Sequence, residues 1–133
     1  MHLERSPHKF LPRKRLRPPR VVSLDELPLL AAAEEDGSIS EKEADAVSVA
    51  DLLLLGREGV GDASHDAVTL VEVSWTIAVP DIVRAAERAG TLRKAGYAAY
   101  GAVAGTAIKI EVRERARLDG VEVYIVRPDD LPA

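Results

Sequence analysis

Runs of apolar residues alternate with polar segments along the chain, and their spacing predicts helices and strands in turn. Two serines, each followed three residues later by a glutamate, form capping boxes that mark helix starts: Ser23 with Glu26, and Ser40 with Glu43. The first predicted helix runs to about residue 36, where Gly37 stops it, and the second runs to about residue 48.

Two apolar runs in the middle of the chain predict a β-hairpin. The first strand covers residues 49–55, and the second covers residues 67–74 or 67–75. The connection between them, residues 56–66, is polar and contains three glycines. It is long for a hairpin, but its composition is typical of a loop.

The second half of the chain predicts strands that alternate with helices. Pro80 suits the first turn of a helix with an apolar stripe, and Gly96 ends that helix. Strands are predicted at residues 97–103 and 121–126, while residues 106–118 favour a helix but would also suit a strand. Strand-helix-strand crossovers imply parallel neighbours, so the predicted class is α/β, bordering on α+β, with a mixed sheet flanked by helices.

The composition is that of an ordinary soluble domain. Hydrophobic residues make up 47% of the 133-residue chain and charged residues 30%. The absence of cysteine excludes disulfides, zinc thiolates and a cysteine nucleophile, and it fits a cytoplasmic protein. No apolar run approaches the roughly 20 residues of a membrane span, and the basic start lacks the hydrophobic segment of a secretory signal. We therefore expect no contact with a membrane.

The charge distribution divides the chain into a basic arm and an acidic body. Residues 1–20 contain four prolines and seven basic residues against one acidic residue, whereas the rest contains 11 basic and 21 acidic residues. We place one domain at residues 21–127 and a tail at residues 128–133. The arm is either a nucleic-acid contact or a solvated tail. Its candidate contacts are Arg13, Lys14, Arg15 and Arg17.

Asp51 and Glu72 are carboxylates placed where the predicted hairpin should be dry. Burial of an isolated ionised carboxylate is expensive, so such a group needs a cation or hydrogen-bond donors. If the hairpin register sets Asp51 opposite Glu72, the two carboxylates converge at one end of the strands. Two converging carboxylates suit a hard divalent cation such as Mg²⁺ or Mn²⁺.

Four short segments together resemble the PD-(D/E)XK nuclease superfamily, and within it an uncharacterised bacterial branch with a Glu-Val-Ser-Trp variant of the motif. The segments are residues 50–57, 70–75, 81–89 and 103–105, and the resemblance spans about residues 20–126. The resemblance implies a restriction-endonuclease-like fold and magnesium-dependent hydrolysis of phosphodiester bonds in DNA, or less readily in RNA. It carries Asp51 and Glu72 over as metal ligands.

Ser74 stands where the superfamily pattern has a lysine, and a serine hydroxyl cannot supply the lysine's charge. Arg84 and Arg88 on the following helix could project toward the site, although arginine is a poor proton acceptor. Lys94 is the lysine nearest to this motif in the sequence. An upstream acidic residue assists in some members of the superfamily, and the candidates here are Glu4, Glu26 and Glu43.

Several of these residues also have simpler interpretations. Arg57 could contact a phosphate, or it could pair with Glu58 or Asp62. The Arg84 and Arg88 pair could form a solvated helix face with Asp81 and Glu87. The remaining interpretations assign a structural role to each residue: a turn for Asp51, closing of the strand and packing against the helix for Ser74 and Trp75, and an exposed loop for His65.

The sequence thus supports two main hypotheses. The first is a metal-dependent nuclease in which Asp51 and Glu72 bind the metal and Ser74, Arg84 and Arg88 complete the site. The second is a catalytically weak or inactive nuclease fold that serves as a nucleic-acid-binding or protein-interaction module. A homodimer is a further expectation, since small α/β domains often bury a sheet edge in this way.

Overall fold

The computed structural model describes residues 17–130, so the predictions for Glu4, Arg13, Lys14 and Arg15 lie outside the described residues. The fold is mixed α/β, with a five-stranded sheet in the order β1-β2-β3-β5-β7 and a two-stranded sheet of β4 and β6. The strands are β1 Arg17–Val21, β2 Leu52–Glu58, β3 His65–Val73, β4 Thr76–Ile77, β5 Ala98–Gly105, β6 Ala107–Ile108 and β7 Glu122–Ile125. The helices within residues 17–130 are α1 Pro28–Asp36, α2 Glu41–Ser48, α3 Val79–Lys94 and α4 Ile110–Leu118.

The strand directions confirm the predicted topology. β2 and β3 pair antiparallel as a hairpin, whereas β3, β5 and β7 are parallel neighbours joined through α3 and α4. A parallel pair requires a crossover, and each helix supplies one. The short strands β4 and β6 are also parallel and lie directly before α3 and α4. The mixed sheet follows from these two kinds of connection.

Helices pack on one face of the five-stranded sheet. One apolar cluster joins α1 and α2 to the strands through Leu53, Val68 and Leu70, and another joins α3 and α4 to β5 through Val103. Asp51 lies two residues before Leu53, and Glu72 lies two residues after Leu70, so both belong to the helical face. The cluster on the opposite face is drawn from the strands and Val126.

Several element boundaries differ from those predicted. β2 and β3 extend further toward their connection, which shrinks to residues 59–64, because polar residues at their ends pair across the strands. The predicted arm, residues 1–20, overlaps with a strand at its end, because β1 pairs with β2 at the edge of the sheet. Prolines are tolerated at an edge, where no ladder hydrogen bond is required of them.

One of the two helix starts predicted from capping boxes is confirmed, and the other lies further along the chain. Ser40 accepts a hydrogen bond from the Glu43 amide at 3.0 Å and begins α2 as predicted. The Ser23 box instead precedes a short 3₁₀ turn, and α1 begins at Pro28, whose fixed φ suits a first helical position. In the ambiguous segment 106–118, both expectations hold in part, because β6 is followed by α4.

Gly101 allows α3 to approach the sheet closely. A Cβ atom at this position would lie 2.7 Å from the Ala85 carbonyl oxygen, so a side chain would force strand and helix apart. Ala85 and Ala89 are small and fully buried on the helix side of this contact. The close approach sets how far side chains on α3 reach over β3. No helix within residues 17–130 has the length and apolar character required to cross a membrane.

Candidate functional site

The hairpin register brings Asp51 and Glu72 to the same end of the strands. Leu52 pairs with Val71, so the next position outward sets Asp51 opposite Glu72. The Val73 amide donates a hydrogen bond to Asp51 Oδ2 at 2.7 Å, which fixes the Asp51 carboxylate against the end of β3. The register therefore meets the condition on which the predicted convergence depends, and this hydrogen bond also gives Asp51 a structural role.

The two carboxylates occupy different environments. The side chain of Glu72 is only 5% exposed, whereas Asp51 is exposed, so the expectation of two dry carboxylates was wrong for Asp51. It precedes β2 and lies at the open end of the hairpin. Burial raises the pKa of Glu72, and the nearby charge of Asp51 acts in the same direction, while Arg88 and Arg84 oppose the shift.

Two arginines on α3 pair with Glu72. Arg88 donates from Nη1 to Glu72 Oε1 at 2.8 Å, and Arg84 Nε lies 3.4 Å from the same oxygen. The side chain of Arg88 is 14% exposed, so its interpretation as part of a solvated face was wrong. Arg84 is 45% exposed and also donates to Asp81 Oδ1 at 2.5 Å, so it keeps a solvent-facing surface.

One oxygen of Glu72 has no hydrogen-bond partner among the described residues. Oε1 accepts from both arginines, but Oε2 is buried without a donor. A buried acceptor left unsatisfied costs about 1–3 kcal/mol, so such an atom calls for an explanation. Asp51 likewise uses Oδ2 for the Val73 amide. The carboxylate oxygens of Asp51 and Glu72 are suitable ligands for Mg²⁺, which binds one or two carboxylates and completes its coordination shell with water and phosphate oxygens.

The site contains few acidic residues for a metal centre. Within residues 17–130, no three histidine, aspartate or glutamate side chains gather closely enough to hold a metal by themselves. The candidate upstream acids are engaged elsewhere: Glu26 pairs with Arg20 and the Ser23 amide, and Glu43 caps α2 and binds Lys94 at 2.7 Å. A metal at Asp51 and Glu72 would therefore depend on waters and on substrate oxygens for its other ligands.

Ser74 is committed to the loop that follows β3. Its hydroxyl donates to the Thr76 carbonyl at 3.0 Å, and its amide donates to the Ala104 carbonyl at 2.9 Å. The residue in the lysine position therefore closes the strand, as its simpler interpretation predicted. Positive charge at Glu72 comes from α3 instead.

Arg57 lies at the other end of the hairpin. It follows Asp51 by six residues along the strand, a distance of about 20 Å. It pairs with Asp66 at 3.2 Å and with the Ser64 hydroxyl at 2.8 Å, rather than with Glu58 or Asp62. The backbone of Arg17 is its partner in β1. These two candidate nucleic-acid contacts are thus remote from the carboxylates.

His65 opens β3, so its predicted loop position was wrong, although the expected exposure was correct. Its Nε2 lies 3.2 Å from Glu58 Oε1 across the hairpin. This cross-strand contact, like that of Arg57, belongs to the turn end of the hairpin and not to the carboxylate site.

Sequence reasoning missed two features of the site: the burial and capping role of Asp81, and a groove beside the arginines. Asp81 is buried, accepts from the Ala78 amide at 2.8 Å to cap α3, and orients Arg84. Its place at the third residue of α3, directly after Pro80, is a capping signal that could have identified this role. The second feature is a groove of about 460 Å³ between α2 and α3, which Arg84 and Arg88 line. Its existence depends on packing between helices that sequence spacing does not show.

Comparisons with known proteins identify no relative. No protein-family model, curated protein or solved structure matches the chain. Its superfamily resemblance therefore remains a prediction from short motifs, and the function is argued from the site.

Proposed function

We propose that this domain is a metal-dependent nuclease with a restriction-endonuclease-like arrangement of the PD-(D/E)XK type, acting on phosphodiester bonds of DNA. Asp51 and Glu72 hold a divalent metal, Mg²⁺ or Mn²⁺. The observation that carries the proposal is the unpaired, buried Oε2 of Glu72 next to Asp51. Oxygen ligands on adjacent strands are the donors that these hard cations prefer.

Different residues position the two carboxylates and bind the phosphate at this site. Arg88 holds Glu72 through Oε1 and leaves Oε2 as the atom available to a cation. The Val73 amide fixes Asp51 in the same way. The solvent-facing side of Arg84 can bind the phosphate that undergoes attack, since guanidinium matches phosphate geometry. When bound, the metal would lower the pKa of an attacking water and stabilise charge on the phosphate.

The main alternative is a catalytically weak or inactive fold that binds nucleic acid. One observation favours it: the nearest lysine, Lys94, binds Glu43, and the cations that contact Glu72 within the described residues are arginines. Arginine remains charged at all ordinary pH values and cannot act as a general base. Catalysis would then rest on the metal alone.

Cleavage assays with matched carboxylate variants test the proposal. Supercoiled plasmid and single-stranded DNA are incubated with Mg²⁺ or Mn²⁺ and the wild-type chain, Asp51→Asn, Glu72→Gln or Asp66→Asn. We expect metal-dependent cleavage in the wild type and in Asp66→Asn, whose carboxylate lies at the turn end of the hairpin. Asp51→Asn and Glu72→Gln should abolish it, because each removes a charged metal ligand.

Thermal unfolding with and without the metal gives a readout that is independent of activity. A metal bound only to the folded chain raises the melting temperature as its concentration exceeds Kd. This rise should occur in the wild type and disappear in the two ligand variants. Equal cleavage by all four proteins would contradict the proposed site. DNA binding without cleavage, in proteins that fold normally, would support the alternative.

A further inference from the structure

Trp75 is the single tryptophan of the chain, and 57% of its surface is exposed. It follows Glu72 by three residues, so the Cα atoms of the two residues lie within about 11 Å of each other. The expectation that it packs against a helix was wrong, given this exposure. A large aromatic side chain gains most when it is buried, so exposure beside a candidate site points to recognition.

The backbone of Trp75 is held firmly in place. Its carbonyl oxygen accepts from the Thr106 amide at 2.8 Å, the Thr106 hydroxyl at 2.8 Å and the Ala107 amide at 3.3 Å. Gly105 permits this contact, because a Cβ atom there would lie 2.3 Å from the Ser74 carbonyl oxygen. The exposed ring therefore projects from an anchored loop, and a pre-ordered loop loses little entropy on binding.

Exposed apolar and basic residues neighbour this loop. β4 and β6 pair in register, which sets the start of α3 beside the start of α4. Val79 and Ile110 at these helix starts are exposed, Ile110 to 86%. Lys109 and Arg113, one helical turn apart, are exposed and form no ion pair among residues 17–130. Aromatic and apolar surface next to unpaired cations is typical of single-stranded nucleic-acid sites.

We propose that Trp75 stacks against an unpaired base, so that the substrate of this site is single-stranded or locally unpaired nucleic acid. This inference rests on the proposed nuclease function and names its substrate class. In a duplex each base face is already covered by its neighbours, so an exposed indole has no free partner there. In a single strand every base offers a face, whatever its identity.

The order of the carboxylates and Trp75 along the chain supports this assignment. The metal-binding carboxylates lie at the end of β2 and β3, and Trp75 lies one short step beyond them. A backbone phosphate bound through a metal at Asp51 and Glu72 would set an adjacent base near the loop that carries the indole. Lys109 and Arg113, at the start of α4, add positive charge that attracts further phosphates.

Fluorescence tests the inference directly, because a single tryptophan reports on its own surroundings. The full chain is titrated in EDTA with a 12-nucleotide oligothymidine or with a 12-base-pair duplex. We expect quenching by the single strand at concentrations at which the duplex has little effect. A matched control carries Val60→Trp and Trp75→Phe. Val60 is also exposed but lies in the hairpin connection, so its replacement tryptophan should not be quenched.

Kinetics with Trp75 variants separate stacking from a structural role. Trp75→Ala should raise KM for single-stranded DNA roughly 10- to 100-fold, because stacking on one aromatic contributes that much to affinity. Trp75→Phe should restore most of the loss, and kcat should change little, since the carboxylates remain. Unchanged KM in Trp75→Ala, or equal quenching by duplex, would overturn the inference while leaving metal-dependent cleavage intact.

Failure of the nuclease proposal gives a different result. If no protein cleaves DNA but the single strand still quenches Trp75, stacking stands and catalysis does not. If Trp75→Ala instead abolishes self-association in light scattering and leaves oligonucleotide binding unchanged, the indole belongs to a protein interface and the inference is wrong.

Discussion

The two ends of the β2–β3 hairpin both combine acidic and basic side chains. They differ in how deeply these side chains are buried and in whether every carboxylate oxygen has a partner. At the turn end, Arg57 and Asp66 are more than half exposed and pair with each other. At the open end, Glu72 is buried, and its pairing leaves Oε2 without a donor. Exposed pairs are screened by water and contribute little, whereas a buried carboxylate must be neutralised or bound. Charge alone therefore does not mark a site; burial without full pairing does.

The two ends also differ in where their partners come from. The partner of Arg57 is its neighbour across the strands, and hairpin formation alone supplies it. Glu72 depends on Arg84 and Arg88, which come from α3 after the chain has left the hairpin. The open end is thus assembled by tertiary packing, through the close approach that Gly101 permits.

The largest effect should come from breaking the buried pair. Arg88→Met keeps the apolar length of the side chain but leaves Glu72 with the more distant Arg84 alone. Removing one partner of a buried ion pair costs about 3 kcal/mol, and we expect a loss of this size in the free energy of unfolding. Denaturation by urea measures it. Arg57→Met at the turn end is the matched control and should cost less than about 1 kcal/mol. Similar losses in both variants would remove the distinction between the two ends.

A smaller effect on the free energy of unfolding should appear when the pH is changed. Burial raises the pKa of Glu72 above the ordinary 4.5, so the folded chain binds that proton more tightly than the unfolded chain does. The resulting stability is fully present below pH 4.5 and is lost as the pH rises through the folded pKa. Glu72→Gln does not titrate, so its stability relative to wild type should increase as the pH rises from about 4 to 8. Urea denaturation across this range measures the trend, and a constant difference would contradict the raised pKa.

The alternation of residues predicted the geometry of the strands well. Period-two spacing in β2 and β3 placed Asp51 and Glu72 on one face, and the hairpin register then set them opposite each other. The crossovers through α3 and α4 followed from segment order alone. These features depend on local pattern and on chain connectivity, which a sequence displays directly.

The burial of these side chains and the partners that they contact were harder to predict from the sequence. The spacing of Arg84 and Arg88 showed that they share a helix face, but which face meets Glu72 depends on packing around Gly101. The exposure of Trp75 was missed because apolar residues usually close a strand against the core. Tertiary contacts decide such questions, so the positions of the carboxylates were predicted while their environments were not.

The smallest effect concerns the Arg57 and Asp66 pair itself. A double-mutant cycle with Arg57→Ala and Asp66→Ala should give a coupling energy of about 0.2–1 kcal/mol, because both side chains are solvated and pay conformational entropy to meet. The coupling should weaken further in high salt, since ions screen exposed charges. Metal-dependent cleavage should be unchanged, as the pair lies about 20 Å from Asp51. A loss of cleavage in Arg57→Ala with normal folding would instead show that the nucleic acid extends along the hairpin to its turn, and the two ends would then form one binding surface.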